Sequence, residues 1–237
     1  MSDPARQNPP LAGKTIAVTG GFGALGRAVG QVLAGAGANV ALLDRGNPRE
    51  GLPVDALALG GVDLGEPDAA RAALAKAAER FGGLDGLVNV AGGFAWEKID
   101  GGNIATWDRL YAMNLRTAVL ASQAALPLLL ARGGGRIVNI GALAAGQAGA
   151  GMGAYAASKA AVARLTEALA EELKDRGITV NALLPSTLDT PANRADMPQA
   201  DASRWVAPAA LARVIVFLLS DDAAPITGAL IPVKGRV

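Results

Sequence analysis

Short runs of apolar and β-branched residues alternate with longer segments of helical periodicity along most of the chain. The runs are continuously apolar, which is typical of strands buried on both faces of a parallel sheet. They predict strands over 14–20, 39–44, 56–64, 84–92, 135–141, 178–185 and 228–233. The segments between them predict helices over 24–37, 67–82, 104–131, 152–175 and 208–220.

This alternation predicts an α/β fold: a doubly wound parallel sheet of about seven strands flanked by helices. No linker or change of composition divides the chain, so we expect a single domain over 13–237. Residues 1–12 lack a signal-peptide pattern and are interpreted as a flexible tail. The polar, turn-rich segment at about 186–206 follows the sixth strand, where ligands bind in such sheets, and is interpreted as a substrate loop.

The composition narrows the possible chemistry. With 22 basic and 21 acidic residues, the net charge of +1 gives no reason to expect nucleic acid or an anionic membrane as partner. The chain has no cysteine and no histidine, so we expect no metal site, and an acid or base must be Tyr, Lys, Asp or Glu. The apolar runs are shorter than the roughly 18 residues of a membrane span. A cysteine-free chain fits the reducing cytoplasm, where we place the protein.

A glycine-rich loop follows the first predicted strand. It reads TGGFGALG, with Gly20, Gly23 and Gly26 at the opening of a helix. Such glycines allow a tight turn and the close approach of a pyrophosphate to a helix N-terminus. Asp44 ends the second strand eighteen residues after Gly26, near the spacing expected of a dinucleotide site. An ordinary βα turn is the alternative.

Asp44 bears on which dinucleotide is bound. Its carboxylate can accept hydrogen bonds from the adenosine ribose hydroxyls, and it would repel a 2′-phosphate by about 1–4 kcal/mol. This favours NAD(H). Arg45 is adjacent and softens the repulsion, so NADP(H) stays possible.

Tyr155 and Lys159 lie four residues apart in YAASK, on one face of a predicted helix. Free tyrosine has a pKa of about 10, and a nearby ammonium lowers it by stabilising the phenolate. The pair could then supply a proton near neutral pH. The alternative is a half-buried tyrosine beside a solvated lysine.

Four motifs occur in one order: TGGFGALG, NVAG, MNL and YAASK. Together they resemble the short-chain dehydrogenase/reductase family over essentially the whole chain. The resemblance implies a Rossmann-type NAD(P)-binding fold, with Tyr155 as acid/base, Lys159 as its pKa modulator and ribose ligand, and Asn114 positioning a relay water. It also implies a homodimer or homotetramer formed through helices 104–131 and 152–175.

The family's positions imply a set of cofactor contacts, with Asp63 at the adenine and Thr190 at the nicotinamide end. These are Gly20, Phe22, Gly23, Ala24, Leu25, Gly26, Asp44, Arg45, Asp63, Leu64, Asn89, Ala91, Gly92, Tyr155, Lys159, Pro185, Thr187, Leu188 and Thr190.

Two positions depart from the family pattern. Ala142 stands where the family has a serine that donates to the substrate oxygen, and Val90 replaces the second asparagine of the fourth-strand motif. Together with GGFGALG, VAGGF and LPSTLDTPANRADMPQAD, they resemble dihydropteridine reductases, a branch that lacks the serine and uses NADH. Asn114 matches the general family instead.

Losing one oxyanion donor typically costs 10²–10³ in rate, about 2.7–4 kcal/mol. A ketone developing alkoxide charge feels this loss, whereas a quinonoid or imine-like ring depends less on such a donor. We therefore expect hydride transfer with a small-molecule substrate, reducing a quinonoid dihydropteridine or imine-like ring. The alternatives are a general carbonyl reductase or alcohol dehydrogenase, similar to 3-oxoacyl reductases, and a non-catalytic dinucleotide-binding regulator.

Five residues are candidate substrate contacts: Ala142, Gln147, Trp96, Asn193 and Met197. Gln147 or a backbone N–H could replace the missing serine donor. Trp96 could stack on a flat ring. For each, a role in loop structure or packing is the alternative.

Overall fold

Seven parallel strands form one sheet in the computed structural model, which describes residues 9–237. The strands are β1 Thr15–Thr19, β2 Asn39–Leu43, β3 Leu57–Leu59, β4 Gly86–Asn89, β5 Gly135–Ile140, β6 Ile178–Pro185 and β7 Leu230–Val233. Their order is β3-β2-β1-β4-β5-β6-β7, and every neighbouring pair is parallel. This confirms the predicted doubly wound, Rossmann-type sheet.

Helices cover both faces of the sheet. They are α1 Ala24–Gly35, α2 Pro67–Phe81, α3 Ile104–Tyr111, α4 Thr117–Ala131, α5 Gly153–Leu173, α6 Pro191–Asp196 and α7 Pro208–Leu219. In β1, Ile16 and Val18 belong to the core under α1 and α7, whereas Ala17 belongs to the core under α2, α4 and α5. Because β1, β2, β4, β5 and β6 are largely buried on both sides, their apolar runs are continuous, whereas the edge strands β3 and β7 are only partly buried. Within residues 9–237, no helix is both long and apolar enough to cross a membrane.

The long helix predicted over 104–131 is interrupted. A π-helical turn, Ala112–Arg116, lies between α3 and α4 and holds Asn114 at its centre. In this turn the hydrogen bonds span five residues instead of four, so the backbone bulges. No proline or glycine between 104 and 116 signals it. Its cause is tertiary, because the buried side chain of Asn114 is bonded to groups on two other segments.

The N-terminal boundary of the packed chain also differs from the prediction. Leu11 is fully buried in the core beneath α1, and its N–H donates to Ala36 O at 3.0 Å. The predicted flexible tail over 1–12 must therefore be corrected for residues 9–12. Residues 1–8 lie outside the described residues.

The segment after β6 contains a short helix that was not predicted. Thr190 caps α6 by accepting from the Asn193 N–H at 3.2 Å, and Pro191 occupies the first turn. Both are ordinary helix-start signals. Arg194 forms a bidentate ion pair with Asp189, at 2.5 and 2.9 Å, which stabilises the start of this segment.

Candidate active site

A cleft of about 720 Å³ opens at the carboxyl ends of β1, β2, β3 and β4. This is the edge at which open parallel sheets bind ligands. The cleft brings together the following predicted cofactor residues: Gly20, Gly23, Ala24, Leu25, Gly26, Asp44, Arg45, Asp63, Leu64, Ala91 and Gly92. One local motif and three strand ends therefore meet at a single site.

The glycine loop lets neighbouring groups approach its backbone closely, because side chains at two of its glycines would clash. Gly20 has φ +64°, and a Cβ there would lie 2.9 Å from Ala91 Cα. A Cβ on Gly26 would lie 2.1 Å from Gly20 O. Helix α1 begins directly after Gly23, which provides no side-chain cap, and its first turn has no acidic residue. Its N-terminal N–H groups are thus available to an anion, and the cleft fits the pyrophosphate of a dinucleotide.

Asp44 is fixed at the edge of the cleft by two backbone donors. Its Oδ2 accepts from the Phe22 N–H at 3.0 Å, and its Oδ1 accepts from the Gly46 N–H at 2.8 Å. The carboxylate therefore ties the glycine loop to the turn after β2. The side chain of Phe22 is buried in the core, so this predicted cofactor residue contributes its backbone rather than its ring.

Besides Phe22, Tyr155 and Lys159, five of the predicted cofactor residues do not line this cleft. Asn89 lies beneath it, where its amide donates to Asn139 Oδ1 at 2.9 Å and to Ser122 Oγ at 3.1 Å. The other four follow the opposite half of the sheet, at the end of β6 and in the segment beyond: Pro185, Thr187, Leu188 and Thr190.

One wall of the cleft was missed by the sequence interpretation. It carries Arg109, Ala112, Met113, Arg116 and Thr117. Arg116 Nε donates to Gly65 O at 3.0 Å, which joins this wall to the turn after Asp63. The residues recur at intervals of three and four around Asn114, and this periodicity was the signal that could have found them.

Lys159 and Asn114 meet the cleft at Gly92. A Cβ on Gly92 would lie 3.4 Å from Lys159 Nζ and 2.6 Å from Asn114 Oδ1. Lys159 is only 6% exposed, and its ammonium donates to Ile140 O at 2.8 Å. The bare backbone of Gly92 thus lets the two polar groups reach the end of the cofactor cleft. Tyr155 lies one turn before Lys159 on α5.

The comparison with known proteins agrees with this geometry. Residues 14–201 match the short chain dehydrogenase family. The chain belongs to that family. A 2-(S)-hydroxypropyl-CoM dehydrogenase of Xanthobacter autotrophicus is 33% identical over 95% of this chain and 96% of its own length. A 2,5-dichloro-2,5-cyclohexadiene-1,4-diol dehydrogenase of Sphingobium indicum is 36% identical over the same shares.

The comparison with solved structures agrees with this assignment. Carveol dehydrogenase from Mycobacterium avium, in complex with NAD, superposes with a TM-score of 0.84 at 26% identity, over 95% of this chain and 98% of its own. The protein is thus an NAD(P)-dependent oxidoreductase. These relatives support the family; the likeness to dihydropteridine reductases is not shown by them.

Burial dominates the electrostatics of Tyr155 and Lys159 in this short-chain dehydrogenase. Desolvation raises the pKa of Tyr155 to about 12 and lowers the pKa of Lys159 to about 8. The expected lowering of the tyrosine pKa by the lysine is not present in the protein alone, because burial of the phenol dominates. Tyr155 is consequently protonated at neutral pH, the state from which it can donate a proton to a reduced substrate. A bound cofactor supplies the hydride.

The side chain of Asn114 is fixed in this short-chain dehydrogenase. Its Oδ1 accepts from the Gly93 N–H at 2.8 Å, and its Nδ2 donates to Gly93 O at 3.1 Å and to Ser158 Oγ at 2.9 Å. The π turn places the amide where it holds the backbone after β4. Asn114 thereby links α5 to the loop that borders the cleft.

Two loops beside Tyr155 are joined to each other. Trp96 covers the backbone of Gly151, where a Cβ would lie 2.3 Å from its ring, and the Glu97 N–H donates to Gly151 O at 2.8 Å. Phe94 was missed from the sequence; its ring contacts that of Tyr155 edge-on. The aromatic side chains at VAGGFAW were the available signal.

The remaining candidate substrate residues are dispersed. Ala142 is 5% exposed and begins a short 3₁₀ turn after β5. Gln147 is exposed in the loop that follows. Asn193 donates from Nδ2 to Leu188 O at 2.8 Å, so part of its amide serves α6, whereas Met197 is exposed beyond that helix.

Proposed function

We propose that this enzyme is an NADH-preferring oxidoreductase that transfers a hydride to or from a small cyclic substrate. The most specific form of the proposal is the reduction of a quinonoid dihydropteridine or another imine-like ring. The observation that carries it is Ala142, an alanine buried where the family has its serine donor. The further cofactor and substrate residues named above from the family pattern belong to the same proposal.

An alanine at this position removes a donor to the substrate oxygen. A ketone that becomes an alkoxide is expected to lose 10²–10³ in rate without that donor. A quinonoid or imine-like ring receives the hydride at a more electrophilic centre and leaves less charge on an oxygen. Tyr155, protonated at neutral pH, then suffices to deliver the proton.

An alcohol dehydrogenase or general carbonyl reductase is the second candidate. Its support comes from the relatives, since a hydroxypropyl-CoM, a cyclohexadiene diol and carveol are named as their substrates. The diol dehydrogenase is also named for a ring substrate. Under this second proposal, a backbone N–H or Gln147, in the loop after Ala142, donates to the substrate oxygen in place of the missing serine.

Steady-state oxidation of NADH separates these proposals. The panel is quinonoid dihydropterin, a cyclic imine and a cyclic ketone, each corrected for its non-enzymatic rate, with Tyr155→Phe as the matched inactive variant. Turnover of the first two, sharply reduced in the variant, supports the main proposal. Turnover of the ketone alone would replace it with the second candidate.

A non-catalytic regulator is the proposal of a different class. The joint presence of Tyr155, buried Lys159 and fixed Asn114 argues against it, because dinucleotide binding alone does not need a proton donor such as Tyr155 beside the lysine. NADH binding without turnover of any panel member would favour it. We further propose a cytoplasmic homodimer or homotetramer that associates through the helical segments 104–131 and 152–175, which comprise α3, α4 and α5. Sedimentation velocity would test the assembly.

A further inference from the structure

Ser158 lies between Tyr155 and Lys159 on α5, and its hydroxyl is hydrogen-bonded to Asn114 and to the Tyr155 carbonyl. We propose that Ser158 is a positioning residue: its hydroxyl fixes the amide of Asn114 to the helical turn that carries Tyr155, and so holds the Gly93 backbone beside the catalytic pair. The inference rests on the proposed hydride-transfer function but not on the identity of the substrate.

The direction of each hydrogen bond can be assigned. Ser158 Oγ lies 2.7 Å from the carbonyl oxygen of Tyr155, which can only accept, so the single hydroxyl proton points there. The hydroxyl oxygen must then accept from Asn114 Nδ2, at 2.9 Å. Ser158 is 4% exposed and Asn114 is 1% exposed, so water does not compete for these bonds.

The serine bond completes the hydrogen bonding of the amide. One proton of Asn114 Nδ2 goes to Gly93 O at 3.1 Å, the other goes to Ser158, and Oδ1 accepts from the Gly93 N–H at 2.8 Å. Without the serine hydroxyl, a buried N–H would lose its partner. The amide would then be held only by Gly93, whose own position it is meant to fix.

This arrangement bears on catalysis through Gly92 and Gly93. Asn114 Oδ1 and Lys159 Nζ both approach Gly92, at the point where the cofactor cleft ends. Movement of this backbone displaces the amide and alters the surroundings of the ammonium together. Small misplacements of reacting groups can cost about 10²-fold in rate, so a loss of about tenfold in kcat is expected from losing one of the three bonds.

Ser158→Ala is the first variant, and Ser122→Ala is its matched control. Ser122 is equally a buried serine, but it accepts from Asn89 and does not touch Asn114. We expect Ser158→Ala to lower kcat about tenfold, with KM for NADH changed less than about twofold and with a displaced pH profile of kcat. In Ser122→Ala we expect kcat, KM for NADH and the pH profile of kcat to stay unchanged. Ser158→Cys keeps the size and weakens the hydrogen bond, which covers the case in which the alanine variant does not fold.

Two further measurements identify the mechanism. Hydrogen–deuterium exchange of the peptide containing Gly93 should quicken about tenfold or more in Ser158→Ala but not in Ser122→Ala. In the Asn114→Ala background, Ser158→Ala should lower kcat little further, because the serine acts through the asparagine.

The two kinds of failure are distinguishable. Unchanged exchange at Gly93, or fully additive losses of kcat, would overturn the role of Ser158. If the proposed substrate class is wrong, the exchange result is unaffected, and the kinetic tests use whichever panel substrate is turned over. If none is turned over, the effect on Gly93 exchange alone decides the positioning role.

Discussion

The ring of Phe94 meets the ring of Tyr155 edge-on, with centroids 4.9 Å apart and planes at 79°. Phe94 is 55% exposed, so its other side is open to a ligand. We predict that Phe94→Ala lowers kcat/KM for ring substrates about two- to tenfold, since aromatic pairs contribute roughly 0.5–1.5 kcal/mol beyond burial. Steady-state kinetics measure this, and the dissociation constant of NADH should be unchanged. Phe217→Ala, an exposed phenylalanine of α7, is the control; equal losses in both variants would refute a substrate role.

Gly92 is predicted to tolerate no side chain. The Cβ in Gly92→Ala would lie 2.6 Å from Asn114 Oδ1, so the asparagine or the loop must shift. We expect kcat to fall by about 10² or more while the far-ultraviolet circular dichroism is retained. Gly35→Ala is the control, because a Cβ there meets nothing within 4 Å. Near wild-type kcat in Gly92→Ala would show that the contact at the cleft end is not needed.

Ala142→Ser tests whether the missing hydroxyl decides the substrate. Restoring the donor should raise kcat/KM for a cyclic ketone by roughly 10–10³, because the alkoxide gains a hydrogen bond in the transition state. Reduction of an imine-like ring should change less than about threefold. The measurement is the ratio of the two kcat/KM values in both proteins. A ratio that does not move would separate Ala142 from substrate choice.

Asp44→Asn tests the cofactor preference. The amide oxygen can still accept from the Phe22 N–H, which keeps the bond to the glycine loop, while the charge and the bond from the exposed Gly46 N–H are lost. Losing a repulsion of about 1–4 kcal/mol should raise the NADPH:NADH ratio of kcat/KM about fivefold or more. Asp189→Asn, in the ion pair with Arg194, removes a charge elsewhere and should leave the ratio unchanged. An equal ratio in all three proteins would contradict the assigned role.

Lys159 gives the stability a characteristic dependence on pH. Between pH of about 8 and 10.5 the native lysine is neutral while the unfolded one is protonated, so the unfolded chain binds more protons. The free energy of unfolding therefore rises with pH in this window, by about 3 kcal/mol at most. Above pH of about 10 it falls again, because native Tyr155 keeps its proton up to about 12.

Lys159→Met should abolish the rise above pH of about 8. Urea unfolding across that range measures the effect, with Lys76→Met, an exposed lysine of α2, as control. A rise that persists in Lys159→Met would mean that another group causes it.

The sequence predicts the sheet and the phosphate end of the site well because their signals are local. A continuous apolar run indicates a doubly buried strand, and the loop from Gly20 to Gly26 carries its geometry in its own glycines. The rest depends on contacts between distant segments. The edge-on contact between the rings of Phe94 and Tyr155 depends on how distant segments are placed, and so does the wall of the cleft that contains Arg116. No local sequence pattern encodes that placement. The pKa of Tyr155 is raised because the phenol is buried, and burial is a property of the folded chain.

The π turn at Ala112–Arg116 also sets the rotation of one helix relative to the next. In an α-helix each residue turns the chain by about 100°, so a turn that holds an extra residue offsets the faces before and after it. The buried face of α3, with Thr106 and Leu110, therefore need not continue the buried face of α4. Alanines form most of the buried face of α4. The number of residues between Tyr111 and Thr117 thus fixes the position of the Asn114 amide as much as its hydrogen bonds do.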